Sequence, residues 1–167
     1  LLVHDLLGNA HAEGGMQHFV AHDVLELFSR ALHEAATLQR DPYDHLVVAG
    51  FLDPEVVDAV NRDYPQIPSA GNKDYETYPH GPVFDAFVEQ LCGPAMSKVL
   101  GEKFGVDLSD CTTTVTVRTF SEMSDGSIHT DHWSKVVTVL VYFNEGWEGD
   151  GGQLRILRSK DDIEDYA

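Results

Sequence analysis

The sequence predicts an α+β fold, with helices first and strands second. Two helix-start signatures, Asp53-Pro54 and Gly81-Pro82, open helical stretches in the middle of the chain. After Asp110 the composition turns to Thr and Val, first over 112–120 and then over 136–143. Grouping the helical segments ahead of antiparallel-looking strand segments gives an α+β order.

Taken in order, residues 1–18 are rich in Gly, His and Ala without a clear period, which predicts a loose or extended lead-in. Val24, Leu25, Phe28, Leu32, Ala35 and Leu38 recur at three- and four-residue steps, so a helix with one apolar face is expected over 20–39. Asp41-Pro42 ends it. Leu46, Val47 and Val48 centre a short β-prone run over 45–51. Asp53 can accept from free N–H groups and Pro54 fits a first turn, which predicts a helix to about Asp63. Residues 65–81 are rich in Pro, Gly, Asn and Tyr and read as a loop. A long helical stretch over 83–104 follows, broken or kinked at Gly93-Pro94 and ended by Gly105. Thr and Val favour a pleated strand over 112–120. The run at 136–143 is apolar on both faces, which predicts a central buried strand. Residues 154–157 make another strand, and Asp161, Asp162, Glu164 and Asp165 leave the end acidic.

A 167-residue chain that is 43% hydrophobic and 23% charged suits one soluble domain with a real core. Its 11 basic against 28 acidic residues give a net charge of −17. A nucleic-acid backbone or an anionic membrane would be repelled, so neither is expected as a partner. Cys92 and Cys111 lack metal-type spacing and read as buried thiols in a reducing compartment, hence a cytoplasmic protein. No apolar run reaches the roughly 18 residues of a membrane span. Leu1-Leu2-Val3 is cut short by His4 and Asp5, too soon for a signal peptide. With no initiator Met, residues are expected to precede Leu1.

The chemistry centres on His129-Thr130-Asp131. Side chains two apart on a strand share a face, about 6.5 Å apart along the backbone. An imidazole nitrogen and a carboxylate there can hold one side of Fe(II), Mn(II) or Zn(II) with bonds of about 2 Å. Nine His and 17 Asp in the chain would give about one His-x-Asp by chance, so context must decide. That context is Val137-Thr138-Val139-Leu140-Val141-Tyr142-Phe143-Asn144, then Trp147, then Gly151-Gly152-Gln153-Leu154-Arg155-Ile156. In order and spacing this segment resembles the core of the iron(II)/2-oxoglutarate-dependent dioxygenases, in their prolyl-4-hydroxylase-like branch. Phe51-Leu52-Asp53-Pro54-Glu55 resembles that branch's opening strand and helix start.

The resemblance implies N-terminal helices packed on a double-stranded β-helix, a cupin-like jelly roll that is incomplete in this chain. Residues 1–44 would be an N-terminal extension with one helix. Residues 45–167 would be the oxygenase domain, truncated at its C-terminal end. The implied activity is that of an oxidoreductase. It hydroxylates a peptidyl or small-molecule substrate with O₂, Fe(II) and 2-oxoglutarate, releases succinate and CO₂, and has ascorbate as an optional further cofactor. His129 and Asp131 would be two of three iron ligands. Tyr142 would donate its hydroxyl to the distal carboxylate of 2-oxoglutarate, Leu154 would line the cosubstrate pocket, and Thr138, on the strand face of Tyr142, would add a hydroxyl contact. Arg118 would face the substrate channel. Phe120 stands near where many relatives carry a tyrosine and cannot donate a hydrogen bond.

The family's third ligand is a histidine on a later strand, followed by a basic residue that grips the distal carboxylate. Here the only later histidine is His132, next to Asp131 and so directed to the opposite face; Arg155 and Arg158 come too early for the basic residue. The chain is therefore expected to be a fragment, inactive alone, with the missing ligand beyond Ala167. The competing reading is a non-catalytic cupin-like binding module with an incomplete metal site; a zinc or manganese cupin enzyme is a third. Outside this segment, His18 and His22 could pair on a helix face as zinc ligands. Tyr75, Tyr78 and His80 lie in a loop that is either solvated or covers a site. Trp133 and Trp147 suit packing or rim positions.

Overall fold

The computed structural model describes residues 2–3, 37–122, 127–144, 146 and 154–167. Most of the helix expected over 20–39 and the His18/His22 pair lie outside the described residues, as do Trp147, Gly151, Gly152 and Gln153.

Strand β1 (Leu2–Val3) lies between β2 (Val47–Val48) and β5 (Leu140–Val141) in a parallel three-stranded sheet. Leu2 and Val3, from the expected lead-in, thus supply the central strand. Strands β3 (Lys73–Asp74) and β4 (Thr116–Val117) form an antiparallel pair, as do β6 (Leu157–Ser159) and β7 (Asp162–Tyr166). Among the described residues these strands make three separate sheets, and no closed double-stranded β-helix.

Helix α1 (Pro54–Arg62) starts at Asp53, as its Asp-Pro pair predicts, but by a different contact. The Asp53 carbonyl receives Val56 N–H at 2.9 Å and Val57 N–H at 3.1 Å, while its side chain makes no cap bond. Val56, Val57 and Val60 are the buried face. The stretch expected at 83–104 is two helices, α2 (Pro82–Leu91) and α3 (Pro94–Phe104). Pro94 lacks the N–H that a continuous helix would need, so Gly93-Pro94 breaks rather than bends it. Gly105, at φ +66°, turns the chain left-handed, and Val106 N–H returns to the Gly101 carbonyl at 3.0 Å.

The core gathers Leu46, Phe51, Leu52, the α1 valines, Phe84, Phe87 and Val88 of α2, Met96, Val99 and Leu100 of α3, and Val117. Phe84 is 1% exposed and stands at its aromatic centre. Its ring meets Tyr64 edge-on at 5.1 Å, and Phe87 meets Phe143 edge-on at 5.2 Å, joining the helices to the strand segment at 137–143. That segment is buried on one face. Val137, Val139, Val141 and Phe143 pack against the core, whereas Val136 and Leu140 are exposed. The expectation of a strand buried on both faces is corrected accordingly. The acidic end is also ordered into a strand, β7. Arg155 pairs with Glu164 at 2.7 Å, and Arg158 with Asp165 at 3.1 Å and Asp41 at 2.9 Å.

Four hydrogen bonds organise the junction between the 65–81 loop and α2. Gly81 N–H donates to the Asp63 carbonyl at 2.9 Å, and the Asp63 carboxylate accepts from Val83 N–H at 2.8 Å, capping α2. His80 donates from Nδ1 to the Tyr78 carbonyl at 2.6 Å and from Nε2 to Asp85 at 2.8 Å. Both partners only accept, so the doubly protonated ring is favoured. The Tyr78 bond raises the His80 pKa most; partial burial opposes it, and the Asp85 bond and charge add to it.

A Cβ on Gly81 would stand 2.2–2.5 Å from the Asp63 carboxylate. Gly81→Ala is therefore expected to expel Asp63 from its cap and to cost about 0.5–2 kcal/mol in urea unfolding. Asp63→Ala should cost a similar amount, and the double variant little more than either alone. The raised His80 pKa gives a second expectation. Its contribution to stability is complete below the ordinary histidine pKa of about 6.5 and is lost as pH rises through the higher folded value. Melting temperatures of the parent should fall relative to His80→Gln across that interval; parallel curves would refute the linkage.

Candidate metal centre

The segment carrying His129 and Asp131 is exposed and lies in no helix or strand over 127–132, and a turn at 132–135 folds it back, with Lys135 N–H on the His132 carbonyl at 2.9 Å. This reversal sets Lys135 and Thr138 against Asp131. Lys135 Nζ lies 3.0 Å from Asp131 Oδ1, and the Thr138 hydroxyl donates to Oδ2. The Thr138 bond is the main reason the Asp131 pKa is lowered; the Lys135 bond and charge and the nearby His129 add to it, against slight burial. Asp131 is thus an oriented, ionised carboxylate at neutral pH.

The two histidines of the segment have opposite hydrogen-bond roles. His129 Nδ1 lies 2.6 Å from the Ser127 carbonyl, which can only accept, so Nδ1 carries a proton, and in the neutral ring Nε2 holds the lone pair. A metal-binding imidazole is ordinarily oriented by such a bond from its other nitrogen. His132 Nδ1 instead receives Ser134 N–H at 3.3 Å and stands 2.8 Å from Ser134 Oγ. It is an acceptor, so the neutral ring carries its proton on Nε2. In its neutral form His129 thus presents its Nε2 lone pair, whereas His132 presents an Nε2 proton and has its Nδ1 taken by Ser134. Among the described residues no three His, Cys, Asp or Glu side chains gather as a metal site. The segment holds two side chains of ligating type, the His129 imidazole and the Asp131 carboxylate, the donor kinds of a mixed imidazole–carboxylate site.

The other expected residues fall into a second group. Tyr142 is half-buried; burial raises its pKa, and the Arg118 charge partly offsets this. Phenol and guanidinium thus lie close enough to interact. Arg118 itself is held by Asn72, which accepts from Nε at 3.1 Å, and by Ser121, which accepts from Nη1 at 3.3 Å. Its backbone is clamped by the Tyr64 hydroxyl, which donates to the carbonyl at 3.2 Å and accepts from the N–H at 3.3 Å. Leu154 is 48% exposed, just ahead of β6. The structure thus brings together Thr138 with Asp131 and Arg118 with Tyr142. Trp133 is 88% exposed, a rim position, stacked at a tilt on His132. Of the cysteines expected to be buried, Cys92 is half-buried and Cys111 is exposed; both are free thiols. Among the described residues no helix is long and apolar enough to cross a membrane.

Two contributors were not foreseen in the sequence. Lys135 carries an i,i+4 signal with Asp131 that was readable as an ion pair. Asn72 carries none, because its link to Arg118 depends on β3 pairing with β4. Comparison with protein-family models, with curated proteins and with solved structures finds no match.

The tautomers can be checked directly. At a pH where both rings are neutral, nitrogen-15 NMR is expected to show His129 protonated on Nδ1 and His132 on Nε2. The same tautomer on both rings would remove the distinction between them.

Proposed function

We propose that this chain carries part of an iron(II)/2-oxoglutarate-dependent hydroxylase centre, with His129 and Asp131 as two of its metal ligands. The observation that carries the reading is the preset donor pair: an imidazole with its Nε2 lone pair free of the backbone bond, beside an oriented carboxylate. The order of His129-Thr130-Asp131, the strand with Tyr142 and the Gly151-Gly152 segment supports it, as does the resemblance those residues bear to the family. The cupin-like jelly roll belongs to the same proposal, and so does a cytoplasmic setting for the free thiols.

Iron and 2-oxoglutarate, when bound, supply the O₂-dependent hydroxylation of a substrate C–H bond, with succinate and CO₂ as coproducts. The chain's own residues do the holding. His129 Nε2 and Asp131 bind the ion. Tyr142 and Arg118 offer a phenol O–H and a guanidinium to a carboxylate, the chemistry that the distal end of 2-oxoglutarate requires. The substrate class is a peptidyl or small molecule. A second reading, a non-catalytic cupin-like module, draws on the two-donor count among the described residues.

Anaerobic titration separates the two. Fe(II) followed by 2-oxoglutarate is expected to produce a visible charge-transfer band that is lost in His129→Ala and in Asp131→Ala. In the natural protein, succinate should form only with both Fe(II) and 2-oxoglutarate and should disappear in Asp131→Ala. An unchanged band in Asp131→Ala would sink the ligand assignment, and Fe(II) uptake without any succinate would favour the binding module.

A further inference from the structure

Asp131 has both carboxylate oxygens engaged, by two groups of different kind. Lys135 Nζ takes Oδ1 across a pair whose side chains are 54% and 40% exposed. An exposed ion pair of this kind contributes at most about 1 kcal/mol, so it is readily exchanged for a stronger cation. The Thr138 hydroxyl takes Oδ2 from the half-buried strand segment that also bears Val137 and Val139, both packed on the core. That donor is anchored and neutral, and it does not compete with a metal for charge.

We propose that Thr138 and Lys135 are positioning residues of the metal site: Thr138 holds Asp131 by Oδ2 in its ligating orientation, and Lys135 occupies Oδ1 as a resident cation that an incoming divalent ion displaces. This assigns Thr138 to the ligand and not to the cosubstrate. It also gives the turn at 132–135 a purpose, since that turn delivers Lys135 to the carboxylate. The proposal rests on Asp131 being a metal ligand.

The partners make opposite predictions. Removing an outer hydrogen bond to a ligand ordinarily weakens metal affinity about ten- to hundredfold. Removing a cation at contact distance from the ligand should strengthen it by about three- to tenfold at low salt. Co(II) serves as the probe, with affinity read by calorimetry and by quenching of the exposed Trp133. Thr138→Val should lose affinity and Thr138→Ser should restore it, which a general packing defect would not do. Lys135→Met should bind more tightly than the parent, and the gain should shrink as salt is raised. Equal affinities in the parent, Thr138→Val and Lys135→Met, with binding abolished in Asp131→Ala, would overturn this proposal and leave the ligand assignment standing. Binding unaffected by Asp131→Ala would overturn both.

Discussion

The arrangement depends on one aromatic joint. Phe84 is almost wholly buried, and the rings of Tyr64, Tyr75, His80 and Phe87 all lie within 6.4 Å of it, mostly edge-on or tilted. Each such pair adds about 0.5–1.5 kcal/mol beyond its burial. Two rings of the group, Tyr64 and Phe87, also touch Phe143, so the joint reaches from α2 to the end of the strand segment. Asn61 adds a polar tie from α1, donating to the Phe143 carbonyl at 3.0 Å. With Phe143 fixed inward, the period of two places Val141, Val139 and Val137 inward as well. Thr138 and Tyr142 must then lie on the other face. The site therefore inherits its geometry from the core: a hydroxyl at 138 reaches Asp131 because a phenyl ring at 143 is locked into the helices.

The same joint reaches the second group of polar residues. Tyr64 puts its ring against Phe84 and its hydroxyl on both backbone groups of Arg118. Burial raises the Tyr64 pKa, with the Arg118 bond opposing it, so the hydroxyl stays neutral and able to donate and accept at once. Side-chain support for Arg118 comes from Asn72, which the β3–β4 pairing brings alongside. Loop 65–81 is thereby pinned at its middle, by this pairing, and at its end, by the His80–Asp85 bond at the start of α2.

Local features were legible in the sequence and distant ones were not. Pro at the first helical position marks the starts of α1, α2 and α3, and Gly93 and Gly105 follow the ends of α2 and α3, because caps and φ restriction act over one turn. Strands depend on partners. Leu2–Val3 has no signal of its own, and only the remote segments at 47–48 and 140–141 make it a strand. The run at 136–143 reads as apolar on both faces since Val and Leu alternate with Val. Only tertiary packing reveals that Val136 and Leu140 face outward. The acidic end carries no strand signal in the sequence, and its strand is held by Arg155 and Arg158 beside it. At the candidate site, His129-Thr130-Asp131 and the two-residue period linking Thr138 and Tyr142 were readable in the sequence. The tautomers were not, for they hang on the Ser127 carbonyl and on Ser134, which sequence spacing does not orient.

The charge of −17 bears on how such a centre would work. An acidic surface raises the local concentration of divalent cations, which favours loading a metal. It also opposes an anionic cosubstrate, so any carboxylate that enters must meet a local excess of positive charge. Arginines 155 and 158 are engaged by Glu164, Asp165 and Asp41 in the β6–β7 hairpin and its contact with the 39–45 turn. Lys135 is engaged by Asp131. Arg118 counts neutral groups among its side-chain partners, Asn72 on Nε and Ser121 on Nη1, and these bonds orient the guanidinium. On the oxygenase reading the two polar groups then divide the work: Asp131 and His129 receive the cation, and the oriented guanidinium of Arg118 and the phenol of Tyr142 are the groups offered to the anion.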